Sequence, residues 1–143
     1  MRLLSQNTKV EALRRVPLFE GLSKKELAEL ARATDELALG AGTVLCNEGA
    51  LGHEFFVIVD GSVEVTKGGD RIATRGAGDF IGEIALLTTS RRTATVTATT
   101  PVRCFVLTDR AFRHVLDENR NVERKVMQAL AERLAASLPD GAL

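Results

Sequence analysis

Residues 82–96 read GEIALLTTSRRTATV, and the residue types in this stretch can do chemistry together. Gly82 permits a sharp turn and a close approach of backbone to a ligand. Glu83 to Leu87 contain no proline or glycine and are good helix formers, enough for one helical turn. The N–H groups that begin such a turn have no internal partners and form a place for an anion. Arg92 or Arg91 can bring a guanidinium to the same place, where its planar fork of donors suits phosphate. Thr93 adds a hydroxyl donor. Glu83 then stands beside a phosphate that repels it, unless the ligand also presents hydroxyl donors close to its phosphate. A ribose does this. The local chemistry asks for a small nucleotide, with phosphate on the arginine and the turn, and a sugar hydroxyl on the glutamate.

Three zones of the chain must position this segment. The first, residues 1–38, reads as helical. Glu11 to Val16 suit a short helix that Pro17 ends. Ser23 to Glu26 (SKKE) form a capping box, followed by Leu27, Leu30 and Ala31 at helical spacing. The second zone, residues 39–108, reads as β. It is rich in valine, threonine, isoleucine and phenylalanine, and glycines break it at short intervals (Gly49, Gly52, Gly61, Gly68, Gly69, Gly76 and Gly78). KGGD at residues 67–70 signals a hairpin, and Val63 and Val65 alternate with polar neighbours as a half-buried strand should. The third zone, residues 109–143, returns to helix. Asp109 or Thr108 suits its cap, Phe112, Val115 and Leu116 follow, and Val122, Val126, Leu130 and Leu134 then recur four apart with Met127 and Leu138 nearby. Pro139 and Gly141 end it. The expected fold is α+β, mainly β: a single domain over residues 1–143 in which an antiparallel, jelly-roll-like β-roll is flanked by N-terminal and C-terminal helices.

Composition narrows the function classes. The chain has 143 residues, 45% of them hydrophobic, which suits one domain with a real core. Lysine plus arginine balance aspartate plus glutamate, 19 against 19, so no overall electrostatic footprint for nucleic acid or an anionic membrane exists. There is no apolar run of signal-peptide length at the start and no run of 18 apolar residues anywhere, so a cytoplasmic protein is expected. Cys46 and Cys104 lie in apolar stretches without metal-ligand spacing and read as buried free thiols. With only His53 and His114, the chain lacks the histidine cluster of a cupin-like metal enzyme, and both read as surface or cap residues. No serine–histidine–acid set is apparent. Neither a metal nor catalysis is expected.

The segment GEIALLTTSRRTATV closely resembles the phosphate-binding cassette of cyclic nucleotide-binding domains, the family of protein kinase regulatory subunits, cyclic nucleotide-gated channels and bacterial catabolite activator proteins. VPLFEGLSKKELAELA resembles the family's leading helices, and GTVLCNEGALGHEFFVIVDGSVEV its early roll strands. Ile81 stands where phenylalanine is usual, an apolar exchange beside Phe80. The resemblance places the cassette at residues 82–94. It implies that Arg92 pairs with the cyclic phosphate and that Glu83 binds the ribose 2′-hydroxyl. Gly82, Ile84 and Ala85 would supply backbone contacts, and Thr93 and Ala94 would flank the phosphate. Arg91 would face solvent, and Leu86 or Leu87 would couple the cassette to the C-terminal helix. A hydroxyl directly after the arginine is associated in the family with tolerance of guanine, so cAMP is the expected ligand with cGMP a second candidate.

The function so implied is a regulatory module that signals through its C-terminal helix to an effector domain or partner protein, with a homodimer through that helix as a further expectation. The alternatives are a fragment of a catabolite-activator-like transcription regulator lacking its DNA-binding module, and a degenerate roll that binds nothing. The sequence given stops at Leu143, too soon for a helix-turn-helix module: if it is whole, it is not expected to bind DNA that way, and if it is a fragment, the module is missing from it; no membrane partner is expected, since no run of 18 apolar residues occurs. Arg110, Arg113, Arg120, Arg124, Lys125 and Arg133 read as a solvated helix face, offset by nearby acids.

Overall fold

The computed structural model describes residues 6–82 and 91–136. The N-terminal unit is α1 (Gln6–Arg14), a 3-10 turn (Pro17–Phe19) and α2 (Lys24–Ala33). The first helix therefore starts earlier than Glu11 and stops before Val16, because the residues next to Pro17 close 3-10-type bonds instead. The capping box forms as its sequence demands. Glu26 N–H donates to the Ser23 hydroxyl at 3.1 Å, and Ser23 N–H donates to the Glu26 carboxylate at 2.9 Å. Lys9 donates to the Thr34 carbonyl at 2.7 Å and ties α1 to the end of α2.

Among the described residues eight strands follow: β1 (Asp35–Leu39), β2 (Val44–Cys46), β3 (Glu54–Asp60), β4 (Val63–Lys67), β5 (Asp70–Arg75), β6 (Phe80–Ile81), β7 (Thr95–Ala98) and β8 (Val102–Thr108). They build two antiparallel four-stranded sheets, ordered β1-β8-β3-β6 and β2-β7-β4-β5. The roll thus begins at Asp35, inside the segment whose sequence reads as helical. Its five residues pair along the edge of β8, a tertiary partner that no local pattern reveals. The β4–β5 hairpin turns at Gly68 and Gly69, both at positive φ, as KGGD requires.

Strand β3 explains the architecture. Its EFFVIVD run is apolar on both faces because both faces are covered. Phe55 and Val57 pack toward the helices, while Phe56 and Ile58 point into the roll. Strand β8 alternates likewise, with Phe105 and Leu107 on the helical side and Val102 and Cys104 inside the roll.

The helical side is closed by α3 (Asp109–Glu118) and α4 (Arg120–Ala136). Thr108 is the cap of α3, accepting from Ala111 N–H at 3.2 Å. Phe112 from α3 stacks on Phe55 with ring centroids 4.1 Å apart, and Phe80 lies 5.5 Å from Phe55. From α4, Val122, Val126 and Leu130 are buried, whereas Leu134 at the end of the same stripe is 48% exposed. No helix among the described residues is long and apolar enough to cross a membrane.

Both cysteines are buried free thiols. Burial pushes the Cys104 thiol up from 9.0 to about 11. The folded state therefore holds that proton more tightly than the unfolded chain, and the associated stability is intact below pH 9 and lost as pH rises from 9 through about 11. Denaturant melts across this window should show wild-type stability falling on the order of 2 kcal/mol more than that of Cys104→Ala. Parallel pH curves for the two proteins would contradict it.

Candidate functional site

The site is built around Arg92. Among the described residues it is, with Thr34, one of two polar residues buried as a whole, and only 6% of its surface is exposed. Burying a guanidinium is costly unless its donors are met. Two backbone carbonyls meet them: Glu54 at the start of β3 accepts at 2.8 Å, and Gly82 just after β6 accepts at 3.2 Å. The main chain of Arg92 is fixed as well. Its N–H donates to the Ala50 carbonyl at 2.8 Å, and its own carbonyl accepts from Gly49 N–H at 2.9 Å.

Two glycines make room for this side chain. A Cβ on Gly52 would lie 2.0 Å from the Arg92 Nε. A Cβ on Gly82 would lie 2.7 Å from an Arg92 terminal nitrogen and 2.7 Å from the Glu54 carbonyl oxygen, and Gly82 also sits at φ +101°. Gly82 thus supplies a left-handed turn, a close approach and an accepting carbonyl at once.

Arg92, Thr93 and Ala94 line a cavity of about 470 Å³, within the range of small-molecule sites. Its walls are largely apolar, from Ile81, Cys46, Val65, Ala73 and Val96. Ile72 and, from α4, Leu134 and Ala136 also line it, with Ile72 and Leu134 exposed. Lys67, Arg75 and Arg133 also line it. Of the sequence-derived site residues, the structure brings Gly82, Arg92, Thr93 and Ala94 to one cavity. Glu83, Ile84 and Ala85, with Leu86 and Leu87, lie outside the described residues. Arg91 is exposed, and its guanidinium donates to the Gly49 carbonyl at 3.0 Å, bracing the loop that holds Arg92. His53 and His114 are both exposed. No group of metal-ligating residues occurs among the described residues.

The basic residues of α4 are not all a solvated face. Lys125 donates to the Pro17 and Glu20 carbonyls at 2.9 and 3.2 Å, at the first residue of the 3-10 turn and at the residue that follows it. Arg133 donates to the Phe80 carbonyl at 2.8 Å and lies 4.7 Å over the Phe80 ring. Phe80 is two residues before Gly82, so α4 is fastened to the strand that leads into the cavity. Sequence reading placed neither contact, nor the roles of Gly52, Lys67 and Arg75, since each depends on a partner distant in the chain.

The solved structure of the regulatory subunit of a cAMP-independent protein kinase A from Trypanosoma brucei is similar over 93% of this chain and 50% of its own, at 26% identity and TM-score 0.80. Cyclic-AMP-bound PfPKA-R is similar over 88% and 47%, at 27% identity and TM-score 0.74. In sequence, a cyclic nucleotide-gated potassium channel of Rhizobium etli is 35% identical across 82% of this chain and 33% of its own length. The cAMP-dependent protein kinase regulatory subunit of Yarrowia lipolytica is 37% identical across 73% and 28%. The chain thus spans a third or less of the length of these two relatives.

The tight seat of Arg92 gives a structural expectation. In Gly52→Ala the added methyl should expel the guanidinium, and a crystal structure should show its bonds to the Glu54 and Gly82 carbonyls broken. A variant that keeps both bonds would mean that the loop, not the arginine, yields. The profile of the cyclic nucleotide-binding domain matches residues 36–119, the stretch that carries all eight strands but part of the first, together with the arginine seat, and this chain belongs to that family.

Proposed function

We propose that this chain is a regulatory module that binds a purine cyclic nucleotide, cAMP or cGMP, and signals through its C-terminal helix α4. The observation that carries this reading is the buried, pre-seated guanidinium of Arg92 in the lining of a largely apolar cavity of about 470 Å³. A positive charge already desolvated and oriented meets a phosphate without reorganising, which favours binding. Thr93 and Ala94 flank the same point. Family membership supports the further assignments of Glu83 to the ribose 2′-hydroxyl and of Gly82, Ile84 and Ala85 to backbone contacts. The apolar walls from Val65, Ala73 and Val96 suit the faces of a purine.

The output runs through α4. Leu134 is exposed at the cavity, while Arg133 in the same turn is bonded to Phe80. A ligand that fills the cavity contacts the end of α4 and thereby biases its position, which is differential affinity for two arrangements of one helix. The relatives are regulatory subunits and a channel, so the receiver is an effector domain or a partner protein. The Trypanosoma protein described as cAMP-independent shares the fold, so the fold alone does not decide the ligand.

Titration calorimetry with cAMP, cGMP and linear AMP tests the reading. The cyclic forms should bind, and Arg92→Ala should weaken them by about 30-fold or more, the loss of about 2–5 kcal/mol expected when one partner of a buried charge pair is truncated. Unchanged affinity in Arg92→Ala would remove the phosphate assignment, and no binding of either cyclic form to the wild type would remove the function.

A further inference from the structure

One wall of the cavity is the β4–β5 hairpin, which contributes Val65, Lys67, Ile72, Ala73 and Arg75. Pairing with β7 does not carry this wall to its end. Thr66 makes the last pair of β4 with β7, so residues 67–70 extend past that pairing, and Lys67 pairs with Asp70 within the hairpin. A two-stranded tip of this kind is marginal by itself in water. The hairpin is also irregular there. Val65 pairs with Ala73 and Thr66 with Arg71, which leaves Ile72 as the extra residue of a β-bulge. The bulge explains why Ile72 and Ala73, adjacent in sequence, both line the cavity. The shape of this wall therefore depends on where the tip is held.

A carboxylate holds it. Glu48 accepts from the Gly68 N–H at 3.0 Å, across 20 residues of chain. The main chain of Glu48 is itself fixed, since its N–H donates to the Thr95 hydroxyl at the start of β7 at 3.0 Å. The next two residues are those that bond the main chain of Arg92. Gly49 N–H donates to the Arg92 carbonyl at 2.9 Å, and the Ala50 carbonyl accepts from Arg92 N–H at 2.8 Å. One short stretch thus reaches both the guanidinium seat and the hairpin wall. We infer that Glu48 is a positioning residue for the nucleotide: its carboxylate is a strut that fixes the hairpin wall relative to Arg92, so that the cavity has its shape before the ligand enters. A preformed wall spares the ligand the cost of ordering the tip, and affinity gains by that amount. This rests on the cyclic nucleotide reading above and deepens it.

Two measurements test the strut: calorimetry with cAMP and cGMP, and amide hydrogen exchange at Gly68 in the ligand-free chain, read by NMR. Glu48→Ala should weaken cyclic nucleotide binding by about 5-fold, the loss of roughly one hydrogen bond, and should speed Gly68 exchange by a similar factor. Glu48→Asp keeps the charge but falls one methylene short of the tip, and should behave as Glu48→Ala. Glu48→Gln keeps a carbonyl acceptor at full reach and should stay within about 2-fold of wild type in both measurements. Rescue by glutamine but not by aspartate is the signature of a bond of fixed reach. Wild-type affinity in Glu48→Ala or Glu48→Asp, or equal losses in Glu48→Gln and Glu48→Ala, would overturn the assignment, as would Gly68 exchange that no variant changes. A wild type that binds neither nucleotide would remove the function instead, while the exchange rates still report the strut without ligand.

Discussion

The rest of the site depends on the burial of one guanidinium. Arg92 is removed from water yet has no acidic partner among the described contacts that hold it; two backbone carbonyls hold it instead. Carbonyl dipoles orient the charge without neutralising it, so its attraction for an anion survives burial. This arrangement constrains several remote pieces of chain. Glu54 must start β3 with its carbonyl inward, Gly82 must turn at positive φ, Gly52 must have no side chain, and the loop at Gly49 and Ala50 must bond the arginine's main chain. A charge this tightly seated is costly to fold around and cheap to bind to.

The sheet that contains β3 and β8 joins this seat to the helices. One face of each strand lines the roll and the other packs on the helical core, so the sheet is shared between the two. Phe80 concentrates the link. Its ring belongs to the helical core beside Phe55, its carbonyl is bonded to Arg133 of α4, and its chain leads directly to Gly82. Lys125 adds a second fastening between α4 and the N-terminal unit through the carbonyls of Pro17 and Glu20. The helix whose end lines the cavity is thus held by hydrogen bonds from Lys125 and Arg133 to backbone, with Leu134 beside them in the lining.

Local chemistry was readable wherever its partners were near in sequence. The Ser23–Glu26 capping box, the Thr108 cap and the Gly68–Gly69 hairpin follow from residues within a few positions of one another. The identity of Arg92 as the buried member of the Arg91–Arg92 pair came through the family resemblance, since residue types alone left both open. The start of β1 at Asp35 was not readable, because a short edge strand is defined by its pairing with β8 and not by its own pattern. Lys125 and Arg133 were read as solvated because charge at helical spacing carries no sign of carbonyls brought near by folding.

The sequence by itself determined the order of helices, roll and helices, through hydrophobic period and turn residues, and it raised the expectation of a phosphate-bearing ligand through one arginine of the Arg91–Arg92 pair. Those signals are local, set by the intrinsic preferences of neighbouring residues. Only the tertiary structure decided which glycines shape the seat, which cations enter the cavity and which side chains fasten α4. Each of these is a contact between residues 10 to 108 positions apart, such as Arg92 with Gly82, Arg92 with Glu54 and Lys125 with Pro17. Such contacts arise only when two sheets and a helix close on one another.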